Sequence, residues 1–211
     1  MAPTKPEPQR YRRRRSDGAR SRRAILDTAA RLATVEGIGG LSLSRLADDV
    51  GMSKSGLFAH FGSKEELQLA TVERANEIFD ERVIDPAKGA SDGLARLRLL
   101  TDGYLNYIEA DTFPGGCFFA SVLSEVDMRP GPVRDQLTDF LGRWLGELEG
   151  AVRDAQREGA IDPGEDPAQL VFEIEAAILL ANAQYVVFRT SEPIMCARRS
   201  VERRLTAARP G

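Results

Sequence analysis

The chain has 211 residues, 42% of them hydrophobic, and a formal net charge of −3, which is enough for a hydrophobic core and one or two small domains. The longest apolar stretch, residues 174–188, contains Glu175 and is too short to cross a bilayer, and the basic N-terminus lacks the apolar segment of a secretory signal. We therefore expect a cytoplasmic protein with no membrane partner, in which Cys117 and Cys196 are reduced thiols.

The first predicted segment, residues 1–20, is a flexible basic arm that contains three prolines and the run Arg12, Arg13, Arg14 and Arg15. Residues 1–74 carry 14 Lys and Arg against 9 Asp and Glu, a balance of +5, whereas residues 75–211 carry 15 against 23, a balance of −8. A basic first third on an acidic body predicts a polyanionic partner for that third. Two interpretations of the arginine run stay open. It lies along a phosphate backbone or in a minor groove, or it is a solvated tail that adds only nonspecific affinity.

Residues 21–66 are predicted to hold three helices. Apolar residues at helical spacing begin near Ser21, and Gly37 is suited to end this first helix in the left-handed conformation. Gly51 allows a sharp turn between the second and third helices. Glu66 lies three residues after Ser63, which is typical of a capping box at the start of a fourth helix. The serines that we expect to cap the second, third and fourth helices are Ser42, Ser53 and Ser63.

Residues 67–211 are predicted to form a bundle of longer helices. Pro86, Gly89 and Gly93 interrupt the first of them. The predicted helices cover residues 63–83, 92–109, 117–126, 131–152, 166–189 and 193–208. No alternation typical of a strand occurs over a useful length, so the predicted fold class is all-α, with an N-terminal three-helix domain and a C-terminal helical bundle.

The helix predicted over residues 166–189 is apolar on most of its circumference, so it must be buried on more than one side. A second copy of the chain is an economical cover for the outer face. We therefore predict a homodimer in which this helix and the last helix form a four-helix interface across a two-fold axis. Leu179, Ala183 and Val187 have the spacing that lets the helices approach closely.

Two short helices joined at Gly51 have the geometry of a helix-turn-helix, in which the second helix enters the major groove of DNA. Residues 22–69 resemble the TetR family of transcriptional repressors. The resemblance is carried by the helix of residues 25–37 and by the runs LSLSRLA (41–47), VGMSKSGLFAHF (50–61) and SKEEL (63–67). An ordered run of this length is more specific than a bare helix-turn-helix pattern.

The resemblance implies a set of DNA contacts. Ser42 and Lys64 match positions that contact phosphates, and Lys54 is the best candidate to read a guanine. Phe58 departs from the family, which usually has a tyrosine there whose hydroxyl meets a phosphate. His60 stays open between a DNA contact and a capping or solvent-exposed imidazole. Together with the arginine run, the implied DNA-binding residues are Ser42, Ser44, Arg45, Ser53, Lys54, Ser55, Gly56, Phe58, His60 and Lys64.

The resemblance also implies that the C-terminal helices bind a small molecule and form the dimer. Most candidate pocket residues have an alternative role as plain core, and Tyr104 and Trp144 are the stronger candidates because each brings a polar atom into an apolar wall. Asn182 faces either the pocket or the dimer seam, and Cys117 is either a buried structural thiol or a thiol sensor. The candidates are Tyr104, Tyr107, Phe113, Cys117, Phe118, Val122, Phe140, Trp144 and Asn182.

These observations predict a dimeric regulator, a repressor that binds a palindromic operator in double-stranded DNA and is released by a small apolar or aromatic effector. The alternative is a DNA-binding regulator without a small-molecule switch. The sequence offers no pattern typical of an enzyme, because it lacks a nucleophile–base set, a Gly-rich phosphate loop and the spacing of a metal site. We therefore expect no catalytic residue, no metal and no cofactor. The predicted domains are residues 21–66 for DNA binding and residues 67–211 for the effector and the dimer.

Overall fold

The structure is a computed structural model. It describes residues 8–126 and 130–211, and the side chains of residues 18–125 and 130–211. Within those ranges the chain is all-α, as predicted, and contains no strand. The helices are α1 (Pro8–Glu36), α2 (Leu43–Val50), α3 (Lys54–Phe61), α4 (Lys64–Phe79), α5 (Asp85–Ala87), α6 (Gly93–Glu109), α7 (Phe118–Val126), α8 (Pro132–Arg157), α9 (Pro167–Phe188) and α10 (Glu192–Ala207).

The three predicted serine caps are confirmed. Each hydroxyl accepts a hydrogen bond from the backbone N–H three residues further on, at 3.0 to 3.1 Å. Gly37 and Gly51 adopt φ values of 77° and 67°, the left-handed conformation that ends α1 and α2. The capping box at Ser63 is only half formed, because the Ser63 N–H donates to the Phe61 carbonyl after the turn at Gly62.

The prediction of a flexible arm over residues 1–20 is wrong from Pro8 onward, where the chain is already part of α1. The three prolines all lie at or before the start of that helix, a position that a helix tolerates, and arginine is a good helix former. Residues 1–7 lie outside the described residues. The side chains of Arg12, Arg13, Arg14 and Arg15 also lie outside the described side chains, so their predicted role stays untested.

Pro86 does not interrupt the chain's helical course, contrary to the sequence-based prediction. A π-helical segment, Asp80–Ile84, follows α4 directly and leads into α5, in which Pro86 lies in the first turn. The Asp85 N–H bonds to the Asp80 carbonyl, five residues back. This wider turn places Pro86 at the start of a new helix, where its lack of an N–H donor breaks no hydrogen bond.

Helices α1 to α4 form an N-terminal head, and α4 continues into the C-terminal body. The predicted domain boundary between residues 66 and 67 falls inside α4, so the two parts share a helix. In the body α6 packs on α8, and α9 packs on α10. Helix α7 packs against both α1 and α8, which makes it a second connection between the body and the head.

Helix α9 passes a test of length and composition for a membrane span, with 39% of its most apolar window buried. The expectation that no stretch is long enough is therefore wrong on these criteria. The apolar run begins at Leu170, before Glu175, and continues to the end of the helix. A core helix passes the same test, and α9 packs with one face on α6, α8 and α10.

Candidate functional site

The N-terminal end of α3 is open to solvent. Lys54 and Ser55 are exposed, and Gly56 beside them is half-buried. Ser53 Oγ accepts from the Gly56 N–H at 3.1 Å and lies 3.2 Å from Ser55 Oγ, so the cap is itself built of short side chains. Lys54 makes no ion pair or hydrogen bond within the part of the chain that the structure describes. The helix therefore presents a cation and the positive end of its dipole to an approaching polyanion.

Helix α3 is positioned by its inner face and by α1. Leu57 and Phe61 are buried against the head, which turns Phe58 outward with 51% of its surface exposed. The Arg22 Nη1 atom of α1 donates to the His60 carbonyl at 2.6 Å, and its guanidinium lies 4.5 Å from the centre of the Phe61 ring. Sequence reasoning missed Arg22, because an arginine on the polar side of a helix carries no signal of what it contacts.

The remaining predicted DNA contacts lie around α3. Ser42 is exposed at the start of α2, and Ser44 is half-buried. Arg45 is exposed, and its Nε lies 3.5 Å from a Glu36 oxygen and 3.6 Å from an Asp49 oxygen. Arg45 is therefore already paired with two carboxylates, and the predicted contact with a phosphate would have to replace these ion pairs.

The loop between α1 and α2 is held by side chains from two other helices. Lys64 Nζ of α4 donates to the Gly39 carbonyl at 2.6 Å, and Gln68 Nε2 donates to the Ile38 carbonyl at 2.7 Å. The Glu125 carboxylate of α7 accepts from the N–H groups of Ile38 and Gly39, each at 2.7 Å. We call this set of contacts the loop clamp. A lysine ammonium has three donors, so the bond to Gly39 leaves Lys64 able to meet a phosphate as well.

All nine predicted effector-site residues are buried, and the structure brings their aromatic members together in one cluster. Phe79 of α4, which the sequence did not single out, lies at its centre, and five rings meet it edge-on with centroids 5.1 to 6.0 Å away. The five rings belong to Tyr104, Tyr107, Phe119, Phe140 and Trp144. Phe113 and Phe118 extend this aromatic cluster toward α7.

Asn182 and Cys117 join α9 to the start of α7. Asn182 Oδ1 accepts from the Cys117 N–H at 2.8 Å, so the side chain of Asn182 faces the interior. Burial raises the pKa of the Cys117 thiol to about 11, which leaves almost no reactive thiolate at neutral pH. This disfavours the thiol-sensor interpretation of Cys117. Cys117 and Cys196 are both free.

Sequence reasoning also missed Glu175, a buried acid on the inner face of α9. It is 8% exposed, and desolvation raises its pKa to about 7. The Trp144 N–H lies beside the carboxylate and opposes this shift, yet neither Trp144 Nε1 nor Glu175 Oε1 has a well-formed hydrogen bond within the described part of the chain. An acid in the middle of an apolar helix is the one signal that could have marked it.

The outer face of α9 is apolar and exposed. Leu179 and Val187, which we predicted at a dimer interface, are 43% and 72% exposed, and Ala183 lies on the same exposed face. Other large apolar side chains that are exposed on α9 or α10 are Phe172, Leu180, Phe188 and Met195. An exposed apolar face of this extent is typical of a surface that a partner covers.

Comparison with known proteins yields matches in both parts of the chain. A model described as tetracyclin repressor-like, C-terminal domain, matches residues 93–201, and one described as bacterial regulatory proteins, tetR family, matches residues 25–71. A TetR transcriptional regulator from Chloroflexus aurantiacus J-10-FL superposes with a TM-score of 0.83 at 25% identity, over 90% of this chain and 96% of that one.

Of two further relatives, one is named with a small-molecule ligand and operator DNA, and the other is named as a nucleoid occlusion factor. AibR, solved in complex with isovaleryl coenzyme A and operator DNA, superposes with a TM-score of 0.69 at 23% identity, over 90% of this chain and 98% of AibR. The nucleoid occlusion factor SlmA of Vibrio vulnificus is 28% identical over 170 residues, which are 74% of this chain and 81% of SlmA.

The matches agree with the geometry of both parts of the molecule. One family model covers the helix-turn-helix, and the other covers α6 to α9 and most of α10. The all-α fold, with a helix-turn-helix head and a helical body, is the fold that the sequence predicted. The chain belongs to the TetR family of transcriptional regulators, which are DNA-binding proteins and not enzymes.

Proposed function

We propose that this protein is a homodimeric repressor that binds a palindromic operator and is released from it by a small apolar or aromatic effector. The observation that carries the proposal is the open N-terminal end of α3, where exposed Lys54 and Ser55 stand on a helix whose other face is buried. Such an end fits the floor of a major groove, where a lysine amine reaches the acceptor atoms of guanine.

The outer face of α9 and α10 supports the dimer. Its exposed apolar side chains, such as Phe172 and Val187, would lose contact with water against the same face of a second copy. A two-fold axis at this face gives the dimer two recognition helices, and successive major grooves require these to lie about 34 Å apart. The operator is then a palindrome with half-sites one turn apart.

The aromatic cluster supports an effector site in the body, and the loop clamp supplies its connection to the head. Cys117 and Phe118 stand at one end of α7, inside or beside the cluster, and Glu125 stands near the other end, where it holds the loop that leads into Ser42. A ligand that moves α7 would change the placement of α2 and α3 in both subunits. The spacing required by two grooves makes DNA binding sensitive to such a change.

A second candidate function is a DNA-binding regulator without a small-molecule switch. The observation that favours it is the similarity to SlmA, which is named a nucleoid occlusion factor. The two candidates differ in one property, since only the first predicts that a small molecule changes DNA affinity. Both place the protein in the cytoplasm with its DNA.

Lys54→Ala tests the DNA interface, with Lys88→Ala as the matched control. Lys54 is exposed at the tip of α3, whereas Lys88 is an exposed lysine of the body that pairs with Asp85. Bound sequences are first selected from a random DNA pool with the full-length protein, and affinity is then measured by fluorescence anisotropy. We expect Lys54→Ala to weaken binding by about tenfold or more and Lys88→Ala to leave it unchanged.

The proposal fails if no palindromic sequence is enriched at low salt, or if both lysine variants bind the selected DNA like the wild type. Binding should also weaken steeply as salt rises, because phosphate contacts release counterions. Repeating the selection assay with added small molecules separates the two candidate functions. A compound that releases the DNA supports the effector-controlled repressor.

A further inference from the structure

Four buried side-chain polar atoms have no well-formed hydrogen bond among the described residues. One is Gln136 Oε1 of α8. The other three, Glu175 Oε1, Trp144 Nε1 and Tyr107 Oη, belong to residues that lie in or border the aromatic cluster. Glu175 also takes part in no ion pair within the described part of the chain. A buried group that lacks a partner costs free energy, so three of them at one place indicate a site that is completed by something else.

Two of the aromatic rings near these atoms, those of Tyr104 and Trp144, lie at different angles to each other. The Tyr104 and Trp144 rings are nearly perpendicular, at 86°, with centroids 5.5 Å apart. Phe79 meets both of them edge-on. The face of an aromatic ring carries negative potential, and an indole or phenol face attracts an organic cation that lies within about 6 Å.

The charge of Glu175 decides between classes of ligand. The ionisable groups that act on it are the Tyr104 phenol of α6 and the Cys117 thiol just before α7. Burial raises the pKa of both, so neither supplies a charge at neutral pH. An anion would be repelled by the carboxylate, and a neutral hydrocarbon would add nothing to the Trp144 N–H that lies beside it. A cation supplies the opposite charge that no ion pair of Glu175 provides among the described residues.

We propose that the effector is a hydrophobic organic cation whose charge pairs with Glu175 while its apolar part lies against the rings of Tyr104 and Trp144. This inference rests on the proposed function, because it assigns the charge of the effector that the repressor would sense. Entry of such a ligand must displace rings packed around Phe79, since that side chain is almost fully buried. Its binding is therefore coupled to movement of the helices that carry those rings.

The test compares two probes of the same shape, phenyltrimethylammonium and its neutral isostere tert-butylbenzene. Trp144 is the only tryptophan of the chain, so its fluorescence reports on the proposed site directly. Titrations use the full-length protein at about one pH unit above the pKa of Glu175, where the carboxylate is mostly ionised. The variants are Glu175→Gln, which keeps the shape of the side chain, and the control Glu173→Gln, which removes an acid from the same helix near the surface.

We expect the wild type and Glu173→Gln to bind the cation at least about tenfold more tightly than the neutral isostere. In Glu175→Gln the two probes should bind within about threefold of each other. Three results would each overturn the inference: equal binding of the two probes by the wild type, a cation preference in Glu175→Gln as large as that of the wild type, or no saturable quenching by the cation. Thermal melts of each variant show that it is folded.

Failure of this inference is distinguishable from failure of the proposed function. DNA anisotropy on the same samples reports whether the protein binds its selected operator. Operator binding without any preference for the cation rejects the charge assignment and leaves the repressor intact. Absence of operator binding rejects the repressor itself.

Discussion

The loop clamp predicts that Glu125→Ala destabilises the protein although Glu125 lies at the edge of the body. The carboxylate accepts two backbone hydrogen bonds at 2.7 Å from Ile38 and Gly39, and alanine would leave both N–H groups without this acceptor. Hydrogen bonds to a charged group contribute about 1.5–3 kcal/mol each when buried, and this site is half-buried. We expect a loss of about 3 kcal/mol, which lowers Tm by about 6–12 °C in a chain of this size.

The assay is urea and thermal unfolding followed by circular dichroism. Glu125→Gln keeps one acceptor and should lose about half as much. Ser124→Ala, the control on the same helix, removes only a 3.4 Å exposed hydrogen bond and should stay within about 0.5 kcal/mol of the wild type. A Glu125→Ala variant that melts within about 2 °C of the wild type would refute the reasoning. Such a result would mean that water replaces the two hydrogen bonds to Glu125 with no loss of folding free energy.

Three further predictions concern single side chains. Phe58→Tyr restores the hydroxyl that relatives carry, so it should strengthen operator binding by about threefold to tenfold in anisotropy titrations, and no gain would remove Phe58 from the interface. In a Cys196→Ser variant the remaining thiol, Cys117, is buried with its pKa raised to about 11, so Ellman's reagent should react with it only on unfolding. Burial raises the pKa of Glu175 from 4.5 to about 7. The folded protein is therefore most stable, as far as Glu175 is concerned, below about pH 4.5, and it loses about 3 kcal/mol by about pH 7. Urea unfolding measured across this pH range should show that loss in the wild type and not in Glu175→Gln.

The sequence predicted the elements whose causes are local. Helix caps are local, because a serine hydroxyl just before a helix accepts a hydrogen bond from a free N–H group of the first turn. The three serines that do so are Ser42, Ser53 and Ser63. Gly37 and Gly51 end helices because each adopts a left-handed conformation that costs other residues free energy.

The contacts that lie between helices could not be predicted in this way. Glu125 and Ile38 are 87 positions apart, and no spacing rule connects a carboxylate on one helix with the backbone of a distant loop. Glu175 was visible as an acid in an apolar helix, but whether it faced outward or toward the interior depended on the rotation of α9. The structure settles that rotation, because Glu175 is buried while Leu179 and Val187 on the same helix are exposed.

If the effector proposed above binds in the body, Glu175 and Glu125 together connect it to the head. Phe118, Val122 and Glu125 are spaced four and three residues apart on α7, so they share one side of the helix, and Phe118 and Val122 are fully buried. From Phe118 to Glu125 the helix rises by about 10 Å, and a packed helix moves as a unit instead of bending. A ligand that draws charge to Glu175 and shifts the rings beside Phe118 therefore displaces Glu125 as well. The most that this displacement can transmit is the free energy of the two Glu125 bonds in the loop clamp, about 3 kcal/mol. That value is at the upper end of the range of about 1–3 kcal/mol typical of coupling between sites. If the loop clamp carries the signal, Glu125→Ala should bind phenyltrimethylammonium like the wild type, but the cation should weaken its operator affinity by less than about threefold. A Glu125→Ala variant that the cation releases from the operator as fully as the wild type would place the coupling elsewhere.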